Sequence, residues 1–489
     1  MSVSIIGIII AALAALSVLR SSALALTIVC CAGLLQAASA MAFGPANITP
    51  GHLSLLFFGA AVLIRERSIA FGSLALQPGR PGMTLLLLSI WALVSSVVLP
   101  RLFSGSFLVF PLAAQTRGII EVPLQATSSN FNQAVYFLAG IIVFAMVSSM
   151  ARSAQMIERA AMAIIICTFV NFIIVFIDTV TFAAGLSSLL DFIRNADYAQ
   201  LFSHQFMGIK RVTGSFPEAS SFATTSVGLF AFSFRLWRAG VKPRLTGIAA
   251  LLTFVALLFT FSSTAYAAIA VYLAFAYAVT LTGMDIQRTR NPFSAVNKRL
   301  FIAVGPLLAL LGAIAIAIAP EILDPIVKTF DNSIASKLGS ASGIERTSWN
   351  MGGLNAFVQT LGLGAGTGSV RTSSFVVGVL ANLGIIGAIL FGVFFYQLFR
   401  FKPELNTPWA TEDSVHYASA ARAGCINILI ASSISGSSVD LGIHFYVMAG
   451  IACASLFYQK ASRFPLNPNA PAHEPNGVVA ALIPNKRFV

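Results

Sequence analysis

The sequence predicts an all-α polytopic integral membrane protein, and three observations carry the prediction. Hydrophobic residues make up 57% of the 489 positions and charged residues only 10%, whereas soluble globular domains carry about 25% charged residues. The mean hydropathy is +0.86. Apolar runs long enough to cross a bilayer as helices, at ~20 residues each, recur from the first residues to about residue 459. One polytopic domain over 1–464 follows. The tail 465–489, with Pro465, Pro468, Pro471 and Pro475 and no apolar period, is expected to be a disordered cytoplasmic end.

The first run, 3–19, has no basic segment ahead of it and no cleavage signature near Ser17 to Ser22, so it reads as a retained span. Spans 23–43 and 50–64 come next, the latter closed by Arg65 and Arg67, followed by 83–100. Arg152 and Arg159 mark the junction of 133–150 with 157–184, and Arg235, Arg238, Lys242 and Arg244 that of 222–239 with 245–261. Arg288, Arg290, Lys298 and Arg299 mark the junction of 264–284 with 300–318. Arg400 and Lys402 close 375–398, and 417–436 and 442–459 end the series ahead of Lys460 and Arg463. Gly, Pro and Asn punctuate the remaining boundaries. The total is about 12–14 transmembrane helices.

Lys and Arg favour the cytoplasmic side of short loops, and these clusters fall at alternate boundaries. The connections 101–132, 185–221 and 319–374 are thereby assigned to the outside, with short turns near 44–49, 262–263 and 437–441. The net charge of +13 is then mostly topological. No cytoplasmic loop is large enough to gather basic residues on a folded face, so the expected partners are membrane lipids and not nucleic acid. Cys30, Cys31, Cys167, Cys425 and Cys453 lie in apolar runs without C-x-x-C spacing and are expected to serve in packing.

Connections this long tend to be functional or disordered. The stretch 185–221 carries Asp191, Arg194, Asp197, His204, Lys210, Arg211 and Glu218 among Phe192, Tyr198, Phe202 and Phe206. The stretch 319–374 carries Lys328, Lys337, Glu345, Arg346, Trp349 and Arg371, and Gly362, Gly364, Gly366 and Gly368 near its end. Arg211, Arg346 and Arg371 thus lie on the side where positive charge is normally depleted. A guanidinium offers a planar donor fork to phosphate oxygens and keeps its charge near neutral pH, so a lipid diphosphate would suit the three. The competing reading is snorkelling to headgroups, or pairing with Asp191, Asp197 or Glu345.

Ser215-Phe-Pro-Glu218 fits S-x-x-E, a capping box for the next helix with Pro217 in its first turn. Desolvation at the mouth of an oily bundle could also fit Glu218 as a general base, and the two roles are compatible. The series L-G-L-G-A-G-T-G-S lacks nucleotide-loop spacing. It reads as a tight backbone that lets Ser369, Arg371, Ser373 and Ser374 approach a substrate, or simply as a compact connection. No H-E-x-x-H or D-x-D occurs and the five histidines are scattered, so neither a metal nor a cofactor is expected. Asp178 is the one carboxylate well inside an apolar run, and no chain of partners for a proton relay is visible around it.

Arg211-Val-Thr-Gly214 followed by Phe216-Pro-Glu218-Ala-Ser220 resembles the motif ahead of a mid-chain span in bacterial O-antigen and exopolysaccharide polymerases. Glu345-Arg346 with Trp349, then G-L-G-A-G-T-G-S, Arg371-Thr-Ser-Ser374 and Ala381-Asn-Leu-Gly384-Ile-Ile-Gly387, is similar to the C-terminal signature of the O-antigen ligase/polymerase superfamily. The resemblance implies a GT-C-like glycosyltransferase of the inner membrane that joins undecaprenyl-diphosphate-linked oligosaccharide repeats on the periplasmic side, inverting configuration without a metal or nucleotide sugar. It implies that Arg211 and Arg346 hold the diphosphate. Arg371, Gly214, Ser220, Ser373 and Ser374 would then contact substrate, with a chain-length regulator or flippase as a protein partner. Ligases of the superfamily carry a His-Asn pair where this chain has Ser373-Ser374. That favours a polymerase over a ligase and leaves Glu218 as the candidate base. A flippase for the same lipid-linked sugars is the rival class. Transporters usually place polar groups near the bilayer midplane, whereas here they gather in the external connections.

Overall fold

The computed structural model describes residues 2–43, 46–66, 76–112, 120–196, 200–206, 208–282, 292–318, 341–401 and 410–458. Ser4 accepts a hydrogen bond from the Gly7 amide and starts α1 (Ile5–Arg20). Ser21 ends that helix and caps α2 (Ser22–Ala32) by accepting from Leu24. α3 (Pro50–Glu66), α4 (Pro81–Leu102), α5 (Ser128–Met150) and α6 (Ala154–Ala183) follow. Proline at the first position fits α4, because the amide it lacks has no intrahelical partner there. α7 (Ala219–Ala239) stops at Gly240, whose φ of +74° is open to glycine without strain. Pro243 then starts α8 (Pro243–Leu258). α9 (Ser263–Leu281), α10 (Pro292–Ile318), α11 (Ala341–Gln359), α12 (Phe375–Arg400), α13 (Glu412–Ser435) and α14 (Ile443–Ala452) complete the series.

The protein is 73% helical with no closed sheet among the described residues, an all-α polytopic architecture. Among the described residues, α4, α5, α6, α9, α12 and α13 are six helices long and apolar enough to cross a bilayer. α1, α2, α3, α8 and the segment from Ile443 to Phe457 are shorter apolar helices. Small residues let neighbours touch, as membrane helices require. A Cβ on Gly228 of α7 would sit 2.5 Å from Ile428 of α13, and one on Gly140 of α5 would sit 2.3 Å from the Tyr446 ring of α14. Cys30, Cys167, Cys425 and Cys453 are buried as free thiols, and Cys31 is half-buried.

Three details depart from the sequence reading. The span expected over 23–43 stops as a helix at Ala32. Beyond Gly33 the chain turns, because the Leu34 carbonyl accepts from Ser215 Oγ (2.9 Å) and Ala37 bonds Ser215 O (3.0 Å) and Ala196 N (3.2 Å). It ends in β2 (Met41–Phe43), between β1 (Ser2–Val3) and β3 (Ala46–Ile48) in an antiparallel sheet. The connection 319–374 contains α11, so Arg346 and Trp349 lie on a helix and not on a loop. Third, α12 is broken at Gly384 (φ +64°, ψ −162°). There the carbonyls of Ala381 and Asn382 accept from Ala365 N (2.7 Å) and Gly366 N (3.0 Å), and Ile385 N donates to Gly362 O (2.9 Å). Trp91 Nε1 donates to Leu383 O at 2.8 Å. The glycine series therefore docks on the break and supplies the backbone partners that a continuous helix would have provided itself.

The segment 319–340, the tail 465–489, Asp197, Tyr198, Lys328 and Lys337 lie outside the described residues, as do Arg67, Arg288, Arg290, Lys402, Lys460 and Arg463.

Candidate functional site

The connection between α6 and α7 is anchored on Asp178, which is buried near the end of α6. Its carboxylate forms ion pairs with Arg194 and Lys210 and accepts from Gly214 N at 3.1 Å. Arg194 also donates to Gly214 O at 2.6 Å and covers the Phe202 ring, with Cζ 4.1 Å from the ring centroid. Gly214 adopts φ +59° to bring both its amide and its carbonyl onto this cluster. Burial lowers the Lys210 pKa, and Asp178 opposes that shift. Asp178 thus fixes the connection through a buried charge cluster, the partners that sequence reading did not see. Two cations of this connection are engaged in it, and Arg211 lies immediately beyond.

Arg211 donates its amide to His204 O (3.0 Å) and Nε to Thr260 O (2.9 Å), which ties it to the connection between α8 and α9. It lines a cleft of about 340 Å³ together with Glu218, Ser220, Ser262, Ser342 and Arg346, with His204 and Phe261 at its wall. Burial lowers the Arg211 pKa; Glu218 pushes it back up and Arg346 pushes it further down. The two guanidinium groups therefore repel each other across the space that they share. An anion between them would relieve that repulsion.

Helix starts add to the same field. α7 begins at Ala219 and α9 at Ser263 after Ser262, and Ser342 of α11 lines the cleft beside them. First-turn amides have no intrahelical partner and each helix start carries about half a positive charge, so the cleft collects donors and positive potential. Glu218 is the N-cap residue of α7 by backbone geometry, yet its side chain caps no amide. It accepts instead from Ser220 Oγ. The expected capping box is not formed: Ser215 is spent on Leu34 O, and Pro217 precedes the helix with its carbonyl accepting from Leu201 N at 2.7 Å. Glu218 is left facing the cleft.

Arg211, Glu218, Ser220 and Arg346 are thus brought together. Gly214 belongs to the Asp178 cluster, and Arg371, Ser373 and Ser374 do not line the cleft. Arg371 stacks on Trp349, Cζ to ring centroid 4.0 Å, and its amide donates to Phe110 O at 2.8 Å. Its Nε is enclosed without a hydrogen-bond partner. Burial lowers its pKa, opposed by Glu345 and Glu218, so it acts on the cleft through its field. Ser373 N donates to Asn350 Oδ1 at 2.8 Å, and Ser374 precedes α12 as its N-cap. Asn382 holds this segment from below, accepting from Ser369 N (3.1 Å) and Val370 N (3.0 Å).

Sequence reading left out His204, Ser262 and Ser342 as site residues. The signal for Ser262 was present, since serine just before an apolar run marks a helix start. His204 and Ser342 are brought in by long-range folding and carry no local sign. Among the described residues no three His, Cys, Asp or Glu side chains gather as a metal site. No model of a known protein family matches the chain, and no curated protein sequence is significantly similar to it.

Proposed function

We propose that the protein is a GT-C-like polysaccharide polymerase of the bacterial inner membrane, with the cleft on its periplasmic face. The observation that carries this reading is the convergence of Arg211, Arg346 and two helix starts, those of α7 and α9, on one cleft at one end of an apolar bundle. That arrangement suits a diphosphate whose lipid tail remains in the bilayer. The donor is an oligosaccharide on undecaprenyl diphosphate, and the acceptor is the end sugar of another lipid-linked repeat. An acceptor hydroxyl attacks the anomeric carbon from the face opposite the diphosphate, forming the new C–O bond as the bond to the diphosphate oxygen breaks. The electron pair leaves with the diphosphate, the hydroxyl proton passes to Glu218, and configuration inverts. Arg211 and Arg346 stabilise the charge that grows on the leaving group, which is where fixed donors contribute most.

The test is glycan elongation by the purified protein in proteoliposomes supplied with lipid-diphosphate-linked repeat. Arg346→Ala is expected to slow elongation roughly 10²–10³-fold, the effect of removing one preorganised donor. Wild-type elongation by both Arg346→Ala and Arg211→Ala would overturn the assignment. Leaflet exchange of the lipid without elongation would make the protein a flippase instead.

A further inference from the structure

A second cavity, of about 260 Å³, opens beside the first turns of α7 and has a different chemistry. Ser221, Thr224 and Thr225 face it from α7 at the i, i+3, i+4 spacing of one helix face. Ser432 and Ser435 face it from the end of α13, and Asp440 and His52 line it from the following turn and from α3. Among the described residues lining it there is no arginine or lysine. Ser435 Oγ is buried without a hydrogen-bond partner. Asp440 Oδ1 accepts from Gly442 N at 3.1 Å, with the Tyr446 hydroxyl beside the carboxyl, and burial pushes that carboxyl up to about 6.

Hydroxyls on facing helices, one carboxylate and no cation do not suit an anion. They do suit a neutral polyol, whose hydroxyls donate to the carboxylate and exchange bonds with serine and threonine. The volume is slightly below the ~300–1,000 Å³ of small-ligand sites, which fits a single ring better than a long chain. Position matters as much. Ala219 and Ser220 line the cationic cleft, while Ser221, Thr224 and Thr225 line this cavity. The two therefore lie on adjacent faces of one helix start, separated on the order of a helix diameter of ~10 Å.

We infer that the second cavity is a sugar subsite that holds the terminal ring of the acceptor oligosaccharide through Asp440, Ser435 and the α7 hydroxyls. This rests on the polymerase reading, in which the acceptor must lie beside the diphosphate. Asp440 and Ser435 bind and orient the ring; the bond changes occur at the first cleft.

The experiment uses the full-length protein in nanodiscs and two probes: inorganic pyrophosphate, and the fluorescently labelled glycan that mild acid releases from the cells' own lipid-linked oligosaccharides. Asp440→Asn keeps the acceptor oxygen for Gly442 N, and Ser435→Ala removes a hydroxyl that bonds nothing in the fold, so both variants are expected to fold. Each should weaken glycan binding about tenfold, the effect of losing a charged or neutral hydrogen bond to the ligand, and leave pyrophosphate binding within about twofold. Arg346→Ala should do the reverse. Wild-type glycan affinity in both variants, or no glycan binding by the wild type, overturns the subsite. Glycan binding sensitive to Asp440 with no pyrophosphate binding by the wild type upholds the subsite and removes the lipid-diphosphate reading.

Discussion

Replacing Asp440 by Asn should make the protein more stable above neutral pH and leave it unchanged in acid. The wild-type carboxyl is held at about 6 against an ordinary value of 3.8, with burial as the main cause, while the Gly442 amide and the Tyr446 hydroxyl pull the other way. His52 of α3 lines the same cavity, and Tyr136 of α5 feels the charge of Asp440. Because the folded state holds its proton more tightly than the unfolded chain, stability is greatest below about pH 4, falls between about 4 and 6, and then levels off. The loss amounts to about 3 kcal/mol, at 1.36 kcal/mol for each tenfold change in proton affinity. Asparagine carries no such cost. The buried thiols offer the assay: unfolding followed by a thiol-reactive dye in detergent should show a midpoint about 3 °C higher for Asp440→Asn at pH 8, shrinking to nothing near pH 4. A variant that tracks the wild type in parallel from pH 4 to pH 8 would refute the argument, because it would mean that Asp440 ionises there without penalty. A gain in stability together with a loss of glycan binding is the pattern expected where a strained group is kept for function.

Glu218→Gln is expected to lower elongation roughly 10²–10⁴-fold while leaving pyrophosphate binding equal or tighter, since a negative charge leaves an anion site; unchanged elongation would reduce Glu218 to a structural residue. Asp178→Asn should cost about 3–5 kcal/mol by stranding Arg194 and Lys210, seen as a lower unfolding midpoint, and a wild-type midpoint would contradict the buried-cluster account. Gly384→Ala places a Cβ 2.3 Å from Leu363 O in a backbone region open almost only to glycine. It should destabilise by at least about 1–3 kcal/mol, checked by the same dye, and full stability would disprove the break in α12.

Much of this architecture was legible because apolar periodicity and basic punctuation are local signals. The boundaries of α5, α6, α7 and α13 follow the apolar runs closely, and Arg152, Lys242 and Arg400 lie at helix junctions where composition put them. The misreadings came from long-range partners. Residues 33–40 keep enough apolar side chains to prolong the run, and their hydrogen bonds to Ser215 and Ala196 hold them in a turn instead. Ser215 and Glu218 satisfied a capping pattern, but Leu34 O competed for the serine and Ser220 for the glutamate. The clustering of Arg211 with Arg346 was suggested by shared sidedness. That of His204 and Ser342 with them depends on three connections meeting, which no spacing along the chain encodes.

The break in α12 bears on how the chain is made. The glycine loop and the two halves of the helix share their backbone pairing, because Ala381, Asn382 and Gly362 find partners in each other's segments. A nascent chain that ends between Gly368 and Ala381 therefore holds a glycine loop whose Ala365 and Gly366 amides still lack the carbonyls they bond in the folded protein. The four glycines would then take their final conformation only once the first half of α12 has been made.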